Sequence, residues 1–435
     1  MSLLLCGASE RITTPKLGLD IPGYFGPRPA KGVKSDLYTQ AVVLDDGAEL
    51  IVLISVDIMD FQASFARKIR NRLAASIGVK PEAVMTVATH IHTGQPTNYT
   101  GLGVKKNTAA MKHLEDLTVE AAEEAFANRR PVHMYCGSGE VRGISFVRNY
   151  FKKDGGACTN PNASMRENIG ERLTEPDYGM EVIRFDDESG STVAHVVNFA
   201  CHPDVVGGKE FCADWPGEMR RVIKENFGAA SVSLFLNGCA GNINHVDAYR
   251  TMEGYRYPSD HYIYMGETVA AEVLRVDRED CREVTDVTLA ASSKIFRAER
   301  RQPTEEMLEK DRAALADPES RIDRRVYAEE HLILARNPKR FDSVEVQAMR
   351  IGPCGLVGLN GEIYCEVGLS IKAASPFEHQ MVAGLANGTV GYVVTEPAFS
   401  LGVYEAKLAR YNSSLYPQAA DKMAQTADRL LKKLK

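Results

Sequence analysis

Several features that would assign a chain quickly are scarce in this one. It has a single tryptophan and 8% aromatic residues. Its longest apolar runs, Leu3-Leu4-Leu5 and Leu50-Ile51-Val52-Leu53-Ile54, fall far short of the roughly 20 residues a membrane helix requires, so no transmembrane segment is expected. The nine cysteines are odd in number, include no CxxC pair and follow no framework spacing, which suits reduced thiols better than disulfides. Basic charge is not in excess: 52 Lys and Arg stand against 58 Asp and Glu, interspersed along the chain, so no nucleic-acid partner is expected. Lys432, Lys433 and Lys435 fall on a predicted helix end, where cations favour the dipole. The opening MSLLLCGASERI has neither the basic region nor the ~7–15-residue apolar stretch of a signal peptide, so a first strand and a cytoplasmic address are expected.

What is present is ordinary globular composition, 44% hydrophobic and 25% charged over 435 residues, enough for a large core. No Ser/Gly-rich or Pro-rich linker and no repeat divides the chain, so residues 1–435 are expected to form one large domain. LYTQAVVLDDGAELIVLISVDI reads as two strands turning at Asp45-Asp46-Gly47, and QASFARKIRNRLAASIG as a helix capped by Gly78. AVMTVAT is a strand running into His90, EVIRFDDESGSTVAHVVNFA a hairpin ending near His202, and SVSLFLNG a strand before GCAGNIN. Residues 303–340 carry acids and bases at helical spacing and read as solvated helices beside the core, while 417–434 forms a last amphipathic helix. The expected fold is α/β, with mixed β-sheets packed in layers and flanking helices, and a site built from loops at strand ends.

Chemistry concentrates at a few of those ends. In ATHIHTG, period two would put His90 and His92 on one face of a strand, a pair compatible with a metal or with two partly exposed strand histidines. NFACHPD ends an apolar run at His202 before a turn. Asp214, in CADWPGE, reads as a helix cap or as an acceptor orienting a ligand imidazole. Glu362 follows VGLNG, where a buried carboxylate needs a partner such as a metal, or else opens the helix IYCEVGLSIKAA. Tyr392, in NGTVGYVVTEP, reads by itself as strand packing.

Taken in order, ATHIHTG, NFACHPD with CADWPG, NGCAGNINHVD, LNGEIY and GYVVTEPAFSLGVYEA resemble the catalytic domain of the neutral, non-lysosomal ceramidase family, as does the opening ERITTP followed by GY. The likeness runs from residue 88 to 406. It implies zinc held by His90, His202, Glu362 and Tyr392. It also implies that His92 and Arg148 contact the substrate carbonyl or its tetrahedral adduct, with Tyr404 as a further active-site tyrosine. Two departures stand out: Asn244 occupies the position of a serine implicated in the family's catalysis, and neither a signal peptide nor a C-terminal immunoglobulin-like domain is expected here. The residue types suit zinc, which activates water and polarises a carbonyl, so hydrolysis of an amide or ester in a small soluble molecule is expected, with Asn244 as a further hydrogen-bond donor. Two other readings remain. In one, Cys239 of NGCAGN acts as a thiol nucleophile with His261, His331 or His379 as base. In the other, the loss of serine at Asn244 marks a non-catalytic metal- or ligand-binding protein.

Overall fold

The structure, a computed structural model, describes residues 3–97, 107–410 and 412–435. Strands β1 (Leu5–Ile12), β2 (Tyr38–Asp45) and β3 (Leu50–Val56) are antiparallel neighbours, with Asp45 opposite Leu50 across the turn read from Asp45-Asp46-Gly47. Gly47 takes φ 84° there and donates its N–H to Asp45 Oδ1. In β2, Val42 and Leu44 enter one core while Ala41 and Val43 enter another. A strand buried on both faces has no polar side to alternate with, which is why AVVL and LIVLI are continuous apolar runs.

Helix α1 (Ala63–Ile77) stops at Gly78, whose φ of 75° makes a left-handed cap. It leads to β4 (Val84–Ala88), parallel to β3. Helix α2 (Thr108–Ala127) starts at Asn107, which accepts from Ala110 N–H, and packs with α1 over the outer face of β2 and β3. Strands β5 (Arg130–Glu140), β6 (Gly179–Asp187) and β7 (Thr192–Phe199) widen the sheet. After helix α3 (Asp214–Phe227), β8 (Val232–Asn237) pairs parallel to β7, and helix α4 (His261–Glu279) packs on α3 around Trp215 and Met219. The nine-stranded sheet runs β8-β7-β6-β5-β1-β2-β3-β4, with the short strand Arg282–Val284 also pairing to β5.

Strand β9 (Leu289–Glu299) is followed by a helical hairpin, α5 (Glu305–Ala316) and α6 (Ile322–Arg336). Then come β10 (Phe341–Ile351), β11 (Cys354–Leu359), helix α7 (Cys365–Ala374), β12 (His379–Ala383) and helix α8 (Gln418–Leu434). The second sheet, β9-β10-β11-β12, places Met349, Ile351, Leu356 and Met381 against Leu44, Leu53, Val87 and Leu234 of the first. Its other face is covered by α7 and α8 through Val367, Ile371, Met423 and Leu431. The chain is thus an α/β fold of two mixed sheets with helices on both outer faces. Among the described residues no helix is long and apolar enough to cross a membrane.

One expectation changes. The charged stretch 303–340 is helical, yet α6 buries Val326, Ala328, His331 and Leu334, and its Val326, Tyr327 and Glu330 line the cavity beside the site. Dense charge describes the solvated face of such a helix, and its few apolar positions decide where the other face goes.

Candidate metal centre

Four chain segments converge beyond the carboxyl ends of β4, β7, β11 and β12. The route by which His90 and His92 meet differs from a strand pleat. Strand β4 ends at Ala88, and His90 sits at φ 74°, in the left-handed region that costs a β-substituted residue energy. Its N–H bonds the Ile58 carbonyl at 3.0 Å and its Nδ1 faces the Met59 carbonyl at 2.7 Å, which fix this conformation. The two imidazoles therefore meet edge to face, centroids 4.9 Å apart, by way of a turn and not by period two. His202 lies three residues past β7 with Nδ1 at 3.2 Å from the Ala240 carbonyl. Glu362 and Tyr392 are direct partners in a short parallel pairing, Glu362–Ile363 with Tyr392–Val393. The flanking glycines permit this closeness: a Cβ on Gly361 would stand 2.7 Å from the Gly391 carbonyl oxygen, and one on Gly241 2.6 Å from that of Glu362.

The polar tips then meet. His90 Nε2 is 3.0 Å from His202 Nε2, 3.4 Å from His92 Nε2 and 3.2 Å from Glu362 Oε2. With Nδ1 of His90 and of His202 each facing a carbonyl, those nitrogens carry the proton and both Nε2 atoms are lone pairs. Lone pairs facing one another need a proton or a metal cation between them. Two ligands ~2.0–2.1 Å from a tetrahedral zinc stand roughly 3.3 Å apart, close to the spacings here. Glu362 Oε2 is buried with no hydrogen-bond partner among the described residues, an orphan acceptor aimed at the same point. His90, His92 and His202 thus form a group able to hold a metal ion, their donor atoms all within 4.8 Å of one another.

The groups also perturb one another's protonation. Burial opposes a charge on His90, but the Glu362 carboxylate outweighs it and raises its pKa. Burial first, and His90 second, push His92 and His202 well below the ordinary imidazole range. Burial would raise Glu362, yet His90, the Tyr392 hydroxyl and Arg148 hold it below the usual carboxylate value. The Tyr392 phenol is pushed well up, by burial and then by Glu362.

Among the other candidates, Arg148 is buried, donating from Nε to Glu405 Oε1 at 2.6 Å and from Nη2 to the Gly241 carbonyl at 2.6 Å and Tyr392 Oη at 3.0 Å. Tyr404 lines the cavity, its ring centroid 6.4 Å from that of Tyr392. Asn244 points elsewhere: its Nδ2 bonds Asn160 Oδ1 at 2.9 Å, and it is not part of the cavity wall. Asp214 does not reach an imidazole either; its carboxylate accepts from the N–H groups of Val205, Val206 and Trp215, tying the turn after His202 to the start of α3. Cys239 is sealed in the core against Gly368, and burial drives its thiol pKa up, the reverse of an activated nucleophile.

Sequence reasoning missed much of the wall. Asp204, inside the HPD triplet, lies 3.5 Å from His92 Nδ1 and accepts from Tyr24 Oη at 3.0 Å. Glu405, fully buried against Arg148, directly follows Tyr404. Gly23 abuts His92: a Cβ there would be 2.5 Å from its Nδ1. Tyr24, Phe25 and Asn160 also face the cavity, and only Tyr24 had a signal, in the GY after ERITTP.

Fold and site together define a class: a layered α/β protein with a buried three-histidine group, able to hold a metal, at the ends of its strands. The fold is that of the neutral ceramidases. A solved neutral ceramidase from Pseudomonas aeruginosa is 18% identical, superimposes with a TM-score of 0.74, and matches 100% of this chain and 75% of its own. A ceramidase complexed with C2 is also 18% identical, with a TM-score of 0.75, 100% of this chain and 76% of its own. No protein-family profile and no curated protein matches the sequence.

Proposed function

We propose that the chain is a zinc-dependent hydrolase that cleaves an amide bond, with an ester as near alternative, in a small soluble molecule. The observation carrying this reading is the convergence of three imidazole Nε2 atoms and the orphan Glu362 Oε2 at one wall of a cavity of about 340 Å³. His90, His202 and Glu362 would hold the ion, with Tyr392 completing the set. When bound, zinc would polarise a carbonyl and bring the pKa of water toward ~7. The remaining work belongs to the chain, read as one hydrolase domain over residues 1–435. His92, unprotonated at neutral pH, presents Nε2 beside the ion site and can orient a water or take its proton. Gly23 packs against its ring, and the Asp204 carboxylate stands 3.5 Å from its Nδ1. Arg148, positioned by its pairing with Glu405, donates to the Tyr392 hydroxyl and would offer a hydrogen-bond donor to a carbonyl oxygen bound beside it. Tyr404 closes the cavity beside it.

Elemental analysis tests the reading: wild type should carry zinc that the His90→Ala and His202→Ala variants lack. A panel of N-acyl amides and esters should show chelator-sensitive turnover by wild type alone. Equal metal in all three proteins would remove the proposal. A second reading, a metal- or ligand-binding protein without turnover, draws on Asn244, which is not among the cavity-lining residues and whose Nδ2 is engaged by Asn160 at the wall. Stoichiometric zinc with ligand-induced thermal shifts and no turnover on any amide or ester would select it.

A further inference from the structure

Beside the candidate ligands, part of the cavity wall is built from α6 and the loops it touches, and that part is tied together by side-chain hydrogen bonds. Tyr327, Glu330 and His331 lie at i, i+3 and i+4, so they share one face of the helix. Glu330 accepts three hydrogen bonds from Arg410: its backbone N–H at 3.0 Å, Nε at 2.9 Å and Nη2 at 2.7 Å. His331 bridges Asp311 Oδ2 on α5, at 2.8 Å, to the Leu408 carbonyl, also at 2.8 Å, while Arg324 donates to Asp311 Oδ1 at 2.6 Å. These bonds fasten α6 to the 408–410 segment one turn beyond Tyr327. The Tyr327 ring packs on Phe25, centroids 6.1 Å apart, and its hydroxyl meets that of Tyr404. The Phe25 loop and the Tyr404 segment thus both close on one aromatic side chain.

The cavity, about 340 Å³ and open to solvent on one side, stands at the small end of the ~300–1,000 Å³ range of ligand sites. The reacting carbonyl and its leaving amine must share it. Resting on the hydrolase reading above, we propose that Tyr327, held by α6 against Phe25 and Tyr404, is the residue that sets substrate size and restricts the site to compounds with a short acyl group. The ring supplies the limit and the hydroxyl does not. Replacing the side chain by a methyl group opens the wall, because the anchors at Glu330 and His331 keep α6 from collapsing into the space.

The test measures binding, so that it does not depend on turnover. Sodium acetate, hexanoate, dodecanoate and hexadecanoate, each the carboxylate product of a corresponding acyl substrate, are titrated calorimetrically into the zinc-loaded full chain. Melting curves confirm that each variant is folded. Wild type and Tyr327→Phe should bind hexanoate at least roughly tenfold more tightly than dodecanoate. Tyr327→Ala should lose that preference and bind dodecanoate at least as tightly as hexanoate, while acetate binding changes by less than about threefold. Phe25→Ala, which opens the same wall from the neighbouring loop, should move the profile in the same direction and serves if Tyr327→Ala does not fold. Dodecanoate binding wild type as tightly as hexanoate, an unchanged profile in the folded enlarged variant, or no alkanoate binding at all would each overturn the proposal. Absence of amide or ester turnover leaves the length profile readable, so the size limit and the hydrolase reading fail separately.

Discussion

Two buried histidine settings in this molecule have opposite partners. At His331, both ring nitrogens face acceptors, the Asp311 carboxylate and the Leu408 carbonyl, so the ring is fully satisfied by the protein. At His90 and His202 only Nδ1 is satisfied, by the Met59 and Ala240 carbonyls, and each Nε2 is turned toward the other beside an orphan carboxylate oxygen. The first setting holds elements together; the second is incomplete without something positive at its centre. Burial does not separate them, since all three rings are buried. What separates them is where the second nitrogen's partner comes from.

If that distinction is right, mutation should break it in two directions. The largest effect falls on His202→Ala: zinc content should drop from about one ion per chain to below about a tenth, with turnover lost, as read by elemental analysis and an amide assay. His92→Ala comes next. With His92 acting on substrate and not as a ligand, the variant should keep its zinc and lose roughly 10²–10⁴-fold in turnover. Loss of zinc in that variant would move His92 into the ligand set, as the grouping of the three imidazoles allows. His331→Ala should do the reverse of His202→Ala, keeping zinc while losing about 2–3 kcal/mol of stability in denaturant unfolding, because buried Asp311 loses one of its two side-chain hydrogen-bond partners.

The smallest effect sharpens the contrast with a third kind of histidine. His379, whose Nδ1 faces Ser138 Oγ and Glu181 Oε2, has its pKa raised from 6.5 to about 10 by Cys136 first and Glu181 next. A base with a raised folded pKa stabilises fully below the unfolded value and loses that contribution as pH rises through the folded one. The stability difference between wild type and His379→Gln should therefore be largest below about pH 6.5 and shrink toward zero as pH passes about 10. A difference that is flat with pH would contradict the pairing.

The sheets were legible from apolar runs and turn residues, because strands buried on both faces leave an unbroken hydrophobic signature. Gly78 marked the end of α1 and Asp45-Asp46-Gly47 the first hairpin for equally local reasons. The four segments of the candidate centre were visible as chemistry-bearing residues just past apolar runs. Their convergence was not, since it depends on strand order and on the left-handed backbone at His90, for which the sequence carries no local mark. Glu405, Asp204 and the α6 wall escaped for a related reason. A buried acid paired across 257 positions with Arg148, or a tyrosine in a highly charged helix, looks like solvated surface until the partner segment is in place.

The most direct test of the central claim is the zinc-edge X-ray absorption spectrum of the purified chain. The account predicts nitrogen and oxygen scatterers at ~2.0–2.2 Å, with the multiple-scattering pattern of at least two imidazoles that is absent in His202→Ala. A spectrum dominated by sulfur at ~2.3 Å, or one unchanged by His202→Ala, would contradict it.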